Sequence, residues 1–124
     1  MTTVVICDDD AAVRVTLQRN LQAATEIEVL DIVASAEECL DSVKSRAPDV
    51  MLLDHHLTGM SGTDLVRILR GEGISTPVVL FSGDEDVRSL SAGLDHVEFV
   101  FTGVANAKDI VAAVRRLAAG GVHG

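Results

Sequence analysis

Val50-Met51-Leu52-Leu53 is an unbroken apolar run between Pro48-Asp49 and Asp54-His55-His56, and it constrains this chain more than any other stretch. A short run that does not alternate with polar residues, bounded by turn formers, reads as a strand covered on both faces. Strands of that kind belong to parallel sheets with helices on either side. Asp54 then falls at the carboxyl end of the strand, the edge where open α/β sheets place their binding crevices. An acid there can carry chemistry, or it can be polar simply because a loop begins.

The rest of the chain repeats the pattern. Thr3 to Cys7 is a β-branched run and the first strand, followed at once by Asp8, Asp9 and Asp10. From Ala11 to Ala24, Val13, Leu17, Leu21 and Ala24 recur at helical spacing, with Asp10 as the N-cap. Glu28 to Ala34 is the second strand. Ser35-Ala36-Glu37-Glu38 is a capping-box signature for a helix that Pro48 ends. After the strand to Asp54, a loop marked by Gly59 and Gly62 leads into a helix from Ser61 or Gly62, carrying Leu65, Ile68 and Leu69 and stopped by Gly71 and Gly73. Pro77 to Phe81 is the fourth strand, ending in Ser82-Gly83. A short helix over roughly Asp84 to Ala92 follows, then a fifth strand over Val97 to Phe101. Asn106 caps a last helix in which Ile110, Val111, Val114, Leu117 and Ala118 share a face. Five strands alternating with five helices mean βαβ units, right-handed crossovers and a doubly wound parallel sheet with helices on both faces.

A length of 124 residues is one domain with room for a single core. Residues 1–119 read as that domain, and residues 120–124 as the start of a linker or a trailing end. Hydrophobic residues make up 48% of the chain, yet no apolar run nears the ~18 residues of a membrane span, and no basic-then-apolar leader opens it. Cys7 and Cys39 lie in apolar patterns and read as buried free thiols, which fits a reducing cytoplasm. A net charge of -9 argues against a grip on nucleic acid through phosphate contacts by this domain itself. It fits a domain that gathers carboxylates or binds a divalent cation.

Three strands end in groups suited to phosphate chemistry: Asp8 and Asp9 after the first, Asp54 after the third, Ser82 after the fourth. Parallel neighbours lie about 4.8 Å apart, so such ends crowd together. Carboxylates packed that closely repel, and a hard divalent ion with oxygen ligands such as Mg²⁺ relieves the repulsion. One carboxylate can then attack phosphorus to form an acyl phosphate, with the Ser82 hydroxyl donating to a phosphoryl oxygen. Taken singly, Asp8 to Asp10 can be no more than an acid-rich helix start, and Ser82 an ordinary turn residue.

In these features the chain resembles the receiver domain of two-component response regulators over essentially its whole length. Val4-Val5-Ile6-Cys7-Asp8-Asp9, with Val13-Arg14 beyond it, is similar to the family's first strand and acidic pair. Pro48 to Asp54 with Leu57-Thr58-Gly59-Met60-Ser61-Gly62 is similar to its phosphoacceptor strand and loop, and Val78 to Ser82 to its switch strand. Ala112 to Arg116 with Gly120-Gly121 resembles the end of receivers in the NarL/LuxR-type class, where a linker and a helix-turn-helix DNA-binding domain follow. The resemblance implies a flavodoxin-like sheet of strand order 2-1-3-4-5. It implies Asp54 as the aspartate phosphorylated by a sensor histidine kinase, and Mg²⁺ held by Asp8, Asp9, Asp54 and the backbone carbonyl of His56. Ser82 would bind the phosphoryl group and Phe99 would be the switch aromatic. A homodimer would form through the fourth helix, fifth strand and fifth helix, or through the first and last helices. DNA would be reached only through a C-terminal domain.

The sequence departs from the pattern in places. The family's lysine at the end of the fifth strand falls on Thr102, and the only lysines are Lys44 and Lys108. Arg88 is the one nearby cation to suggest in its stead. Thr58 stands where the family usually has proline, and the stretch from Ser82 to Thr102 is short for its helix. His55 and His56 are adjacent in a loop and point apart, a poor arrangement for a metal. The leading expectation is a signalling receiver controlling a transcriptional output domain, not a metabolic enzyme. An alternative is a pseudo-receiver acting as a dimerisation or ligand-binding module without phosphorylation. A third reading rests on Asp8-x-Asp10 and Ser82, which are similar to motifs of haloacid-dehalogenase-type phosphatases. It leaves Asp54 unexplained.

Overall fold

A computed structural model describes residues 1–103 and 106–120. Its elements alternate without exception: β1 (Thr2–Cys7), α1 (Ala11–Gln22), β2 (Ile27–Val33), α2 (Ala36–Arg46), β3 (Val50–Asp54), α3 (Gly62–Gly71), β4 (Val78–Ser82), α4 (Val87–Ser91), β5 (Val97–Phe101) and α5 (Ala107–Gly120). All pairings are parallel, in the order β2-β1-β3-β4-β5. The expected linker from residue 120 lies almost wholly outside the described residues, since α5 runs through Gly120.

Alternation along the strands divides the core in two. Val4, Ile6, Val50, Leu52, Val79, Phe81 and Val100 face α1 and α5, where Leu17, Leu21, Ile110, Val111 and Val114 meet them. Val5, Cys7, Met51, Leu53, Val78 and Leu80 face the other way, onto Cys39, Val43, Leu65, Leu69 and Val87 of α2, α3 and α4. The run Val50 to Leu53 is fully buried because both its faces are covered, as a continuous apolar strand requires. Continued past the strand ends, the same period of two turns Asp8, Asp54 and Thr102 toward the α1/α5 side.

The helix signals act as capping chemistry predicts. Asp10 is extended and its carboxylate accepts from the N–H groups of Ala12 (2.8 Å) and Val13 (3.3 Å). Ser35 Oγ accepts from Glu38 N at 3.2 Å and donates to the Glu38 carboxylate at 3.0 Å. α2 stops at Arg46, one residue sooner than Pro48 alone demands, because Ala47 turns into the left-handed region at φ 47°. Ile68 sits on the outer face of α3, 38% exposed, and Val66 takes the buried place instead. α4 spans five residues, shorter than expected, with no side-chain cap at its start. Cys7 and Cys39 are both free and buried. A hydrogen bond with the Cys39 thiol, followed by burial, pushes the Cys7 thiol far above its ordinary value and keeps it protonated.

Candidate functional site

The register Cys7↔Leu53 sets Asp8 level with Asp54 on the neighbouring strand. Carboxylate oxygens of Asp8, Asp9 and Asp54 lie within 4.8 Å of one another. The turn that presents the first two is tied from both sides. Asp10 N donates to Asp8 Oδ1 at 2.8 Å while Asp10 itself caps α1. Arg14, one turn into that helix, donates from Nη1 to the Asp8 carbonyl oxygen at 2.7 Å. Arg14 thus braces the acidic turn through its backbone, a role its place in the sequence does not announce.

The loop after β3 is drawn tight over the strand end. His56 N donates to Asp54 Oδ1 at 3.1 Å, and Gly62 N donates to the His55 carbonyl oxygen at 2.6 Å. A Cβ on Gly62 would stand 2.7 Å from the Asp54 carbonyl oxygen and 2.8 Å from Leu80 Cδ1, so only glycine permits the approach. Thr58 Oγ1 reaches Asp9 Oδ2 at 3.4 Å, and the Thr58 backbone bridges to Ser35. The threonine in place of proline therefore links the loop after β3 to the acidic turn. His55 is buried, its ring edge-on to His56 with centroids 4.9 Å apart, and its Nδ1 has no hydrogen-bond partner. Burial, then the charge of His56, lower its pKa and favour the neutral imidazole.

Uncompensated negative charge is the electrical signature of the site. Asp8 is 2% exposed. Burial pushes its carboxyl up from 3.8 to about 6, against the Asp10 N–H and reinforced by Asp54, Asp9 and Asp10. Asp54 is raised as well, by burial first, with the His56 N–H opposing and Asp9 adding to it. Three hard oxygen donors at this spacing, two of them reluctant to ionise alone, match the donor set a divalent cation of the Mg²⁺ type takes.

These groups open into a cavity of about 590 Å³ that continues between α1 and α5. Ser82, the buried last residue of β4, lines it, and its Oγ accepts from Asp84 N at 3.0 Å. Thr102 lines it too, fixed by its N–H to the Ser82 carbonyl oxygen at 2.8 Å. His56 is exposed at the rim. Phe99 is not part of this wall: it packs on the opposite face of the sheet, against the α2/α3/α4 side. The guanidinium of Arg88 lies 5.0 Å above its ring and pairs with Glu85 at 2.5 Å. Arg88 therefore does not stand in for the lysine, because Phe99 and Glu85 hold it away from the carboxylates. Among the described residues no lysine or arginine lines the cavity. Asn106 and Ala107, at the start of α5, line it and were not legible as site residues, since only the packing of α5 on α1 brings them there.

The family model described as the response regulator receiver domain matches residues 4–114. The chain is 32% identical over 92 residues to response regulator MprA of Mycobacterium tuberculosis, covering 74% of this chain and 39% of that protein. It is 33% identical over 130 residues to a protein-glutamate methylesterase/protein-glutamine glutaminase of Chromobacterium violaceum, covering 94% of this chain and 36% of that one. The chain thus spans well under half the length of these relatives. Among solved structures, the signal receiver domain of NarL from Mycobacterium tuberculosis superposes with a TM-score of 0.86 at 24% identity, covering 96% of this chain and 97% of the other.

Proposed function

The chain belongs to the response regulator receiver domain family of two-component signalling, and from that premise we propose that Asp54 accepts a phosphoryl group from a sensor histidine kinase. The observation that carries this reading is the meeting of Asp8, Asp9 and Asp54 within 4.8 Å, beside the buried hydroxyl of Ser82. An Asp54 oxygen attacks phosphorus, the P–N bond of the phosphohistidine breaks, and its electrons return to the imidazole. Asp8, Asp9, Asp54 and the His56 carbonyl would hold Mg²⁺. When bound, that ion neutralises charge on the oxygens of the transferring group. Ser82 donates to one of those oxygens, and Phe99 follows Ser82 as the switch aromatic. Thr102, in the lysine's place, offers a hydroxyl where the family supplies a positive charge.

The receiver itself would be residues 1–119, with a linker from 120 to a DNA-binding output domain, working in the cytoplasm and controlling transcription. Self-association would use the face of α4, β5 and α5, or that of α1 and α5. Among the described residues no helix is long and apolar enough to cross a membrane. Incubation with Mg²⁺ and acetyl phosphate, read by intact mass, tests the central step. One phosphate on the wild type and none on Asp54→Ala is expected; adducts on both would remove Asp54 as the acceptor. The pseudo-receiver reading is favoured by one observation, Thr102 in a cavity that no basic side chain among the described residues lines. It requires that beryllofluoride with Mg²⁺ leave the amide spectrum unchanged.

A further inference from the structure

Each of the carboxylates that meet at the strand ends is turned by a hydrogen-bond donor. Asp10 N holds Asp8 Oδ1 at 2.8 Å, and His56 N holds Asp54 Oδ1 at 3.1 Å. Both donors are backbone groups, fixed by the course of the chain. Asp9 differs. Its side chain is exposed, and among the described residues the donor to its carboxylate is another side chain, Thr58 Oγ1, at 3.4 Å from Oδ2. An exposed aspartate with no partner samples several rotamers, and fixing it on an ion costs that freedom.

Thr58 is itself held in place. Leu57 and Met60, on either side of it in the loop, pack on the α2/α3/α4 side of the core. Its carbonyl oxygen accepts from Ala36 N at 3.5 Å, and its backbone bridges to Ser35, the N-cap of α2. Just before Ser35, the Val33 carbonyl oxygen accepts from Asp8 N at 3.1 Å. The loop after β3, the start of α2 and the acidic turn thus form a closed ring of contacts, with Thr58 Oγ1 to Asp9 as its last link. At 3.4 Å that link is longer than the roughly 2.5–3.0 Å of a tight O–H···O bond, so it steers Asp9 more than it stabilises the fold. The proline usual at this place has no hydroxyl to give.

We propose that Thr58 is a positioning residue for the divalent cation: its hydroxyl turns the Asp9 carboxylate toward Asp8 and Asp54, so that the three oxygens converge before the ion arrives. Thr58 does not ligate the ion; it removes freedom from a carboxylate that does. The role presupposes the reading of Asp8, Asp9 and Asp54 as a Mg²⁺ site, and deepens it.

The test is titration of MgCl₂ at constant ionic strength into ¹⁵N-labelled wild type, Thr58→Val, Thr58→Ser, Asp9→Ala and the double variant Thr58→Val/Asp9→Ala, read from the amides of Asp10 and His56. Valine keeps the shape of threonine without its hydroxyl, and serine keeps the hydroxyl. Thr58 is exposed, so the variants should retain the wild-type spectrum away from the loop. Thr58→Val should weaken Mg²⁺ binding about fivefold, the effect of one long hydrogen bond on a ligand. Thr58→Ser should bind within about twofold of wild type, and Thr58→Val should change nothing once Asp9 is alanine, because the two side chains act as one unit. Undiminished affinity in Thr58→Val, no rescue by serine, or an equal loss with and without the Asp9 carboxylate overturns the positioning role and leaves the metal site standing. Wild type that binds no Mg²⁺ overturns the metal site itself, and the role of Thr58 with it.

Discussion

At the scale of single residues, Asp8 is a carboxyl buried beside three other acids. Its carboxyl is raised from 3.8 to about 6, chiefly by burial, so the folded state holds this proton more tightly than the unfolded chain. The contribution to stability is fully present below pH 3.8 and is lost as pH rises through about 6. A displacement of that size corresponds to roughly 3 kcal/mol. Without divalent cations, chemical denaturation should show wild type losing stability between pH 4 and 7, and Asp8→Asn losing much less and exceeding it at pH 7. An unchanged difference between the two proteins across that range would contradict the burial argument. Gly62 is a steric counterpart. In Gly62→Ala the new methyl meets the Asp54 carbonyl oxygen and Leu80 Cδ1 at under 3 Å. A loss of about 1–3 kcal/mol is expected from such overpacking, along with weaker Mg²⁺ binding as Asp54 is displaced.

At the scale of elements, α1 and α4 behave oppositely. α1 begins on a side-chain cap whose backbone also steadies Asp8, so Asp10 serves a helix and a site at once. Asp10→Ala should cost about 1 kcal/mol of stability in thermal or denaturant melts. α4 has five residues, no side-chain cap and an exposed Leu90. Native-state hydrogen exchange should find the α4 amides opening well before those of α3, whose Leu65 and Leu69 are fully buried. Within α3 the two leucines and Ile68 separate by face. Leu69→Ala should cost about 2–5 kcal/mol, whereas Ile68→Ala, on the solvent side, should cost far less.

At the scale of the whole molecule, the sheet brings together groups that lie 46 residues apart in sequence, Asp8 and Asp54, and closes a cavity over them with the first and last helices. The folded arrangement alone assembles the three carboxylates, so Mg²⁺ should bind the native state in preference to the unfolded chain. At a concentration about a hundredfold above its dissociation constant, the ion should add about 2.7 kcal/mol to stability. Asp54→Ala should lose most of that gain, as read by the shift of the thermal midpoint.

The architecture was legible in the sequence because periodicity and capping are local. Val50 to Leu53 has no polar face to show, Ser35 and Asp10 sit where orphan N–H groups need them, and Val97 to Phe101 has the bounds its β-branched and aromatic residues suggest. The acidic residues at the strand ends were legible for the same reason, since parallel topology brings the ends of neighbouring strands to one edge. What the sequence could not decide was direction and distance across the fold. Arg88 is near the site in chain order, yet Phe99 and Glu85 hold it on the opposite face of the sheet. Asn106 and Ala107 reach the site region only through the packing of α5 on α1. The tertiary structure likewise decided that Asp8 would be buried and hard to ionise, and that the space beside Thr102 would be walled by Leu17 and Ile110. Burial and electrostatic environment are sums over neighbours distant in sequence, and no local pattern of residues encodes them.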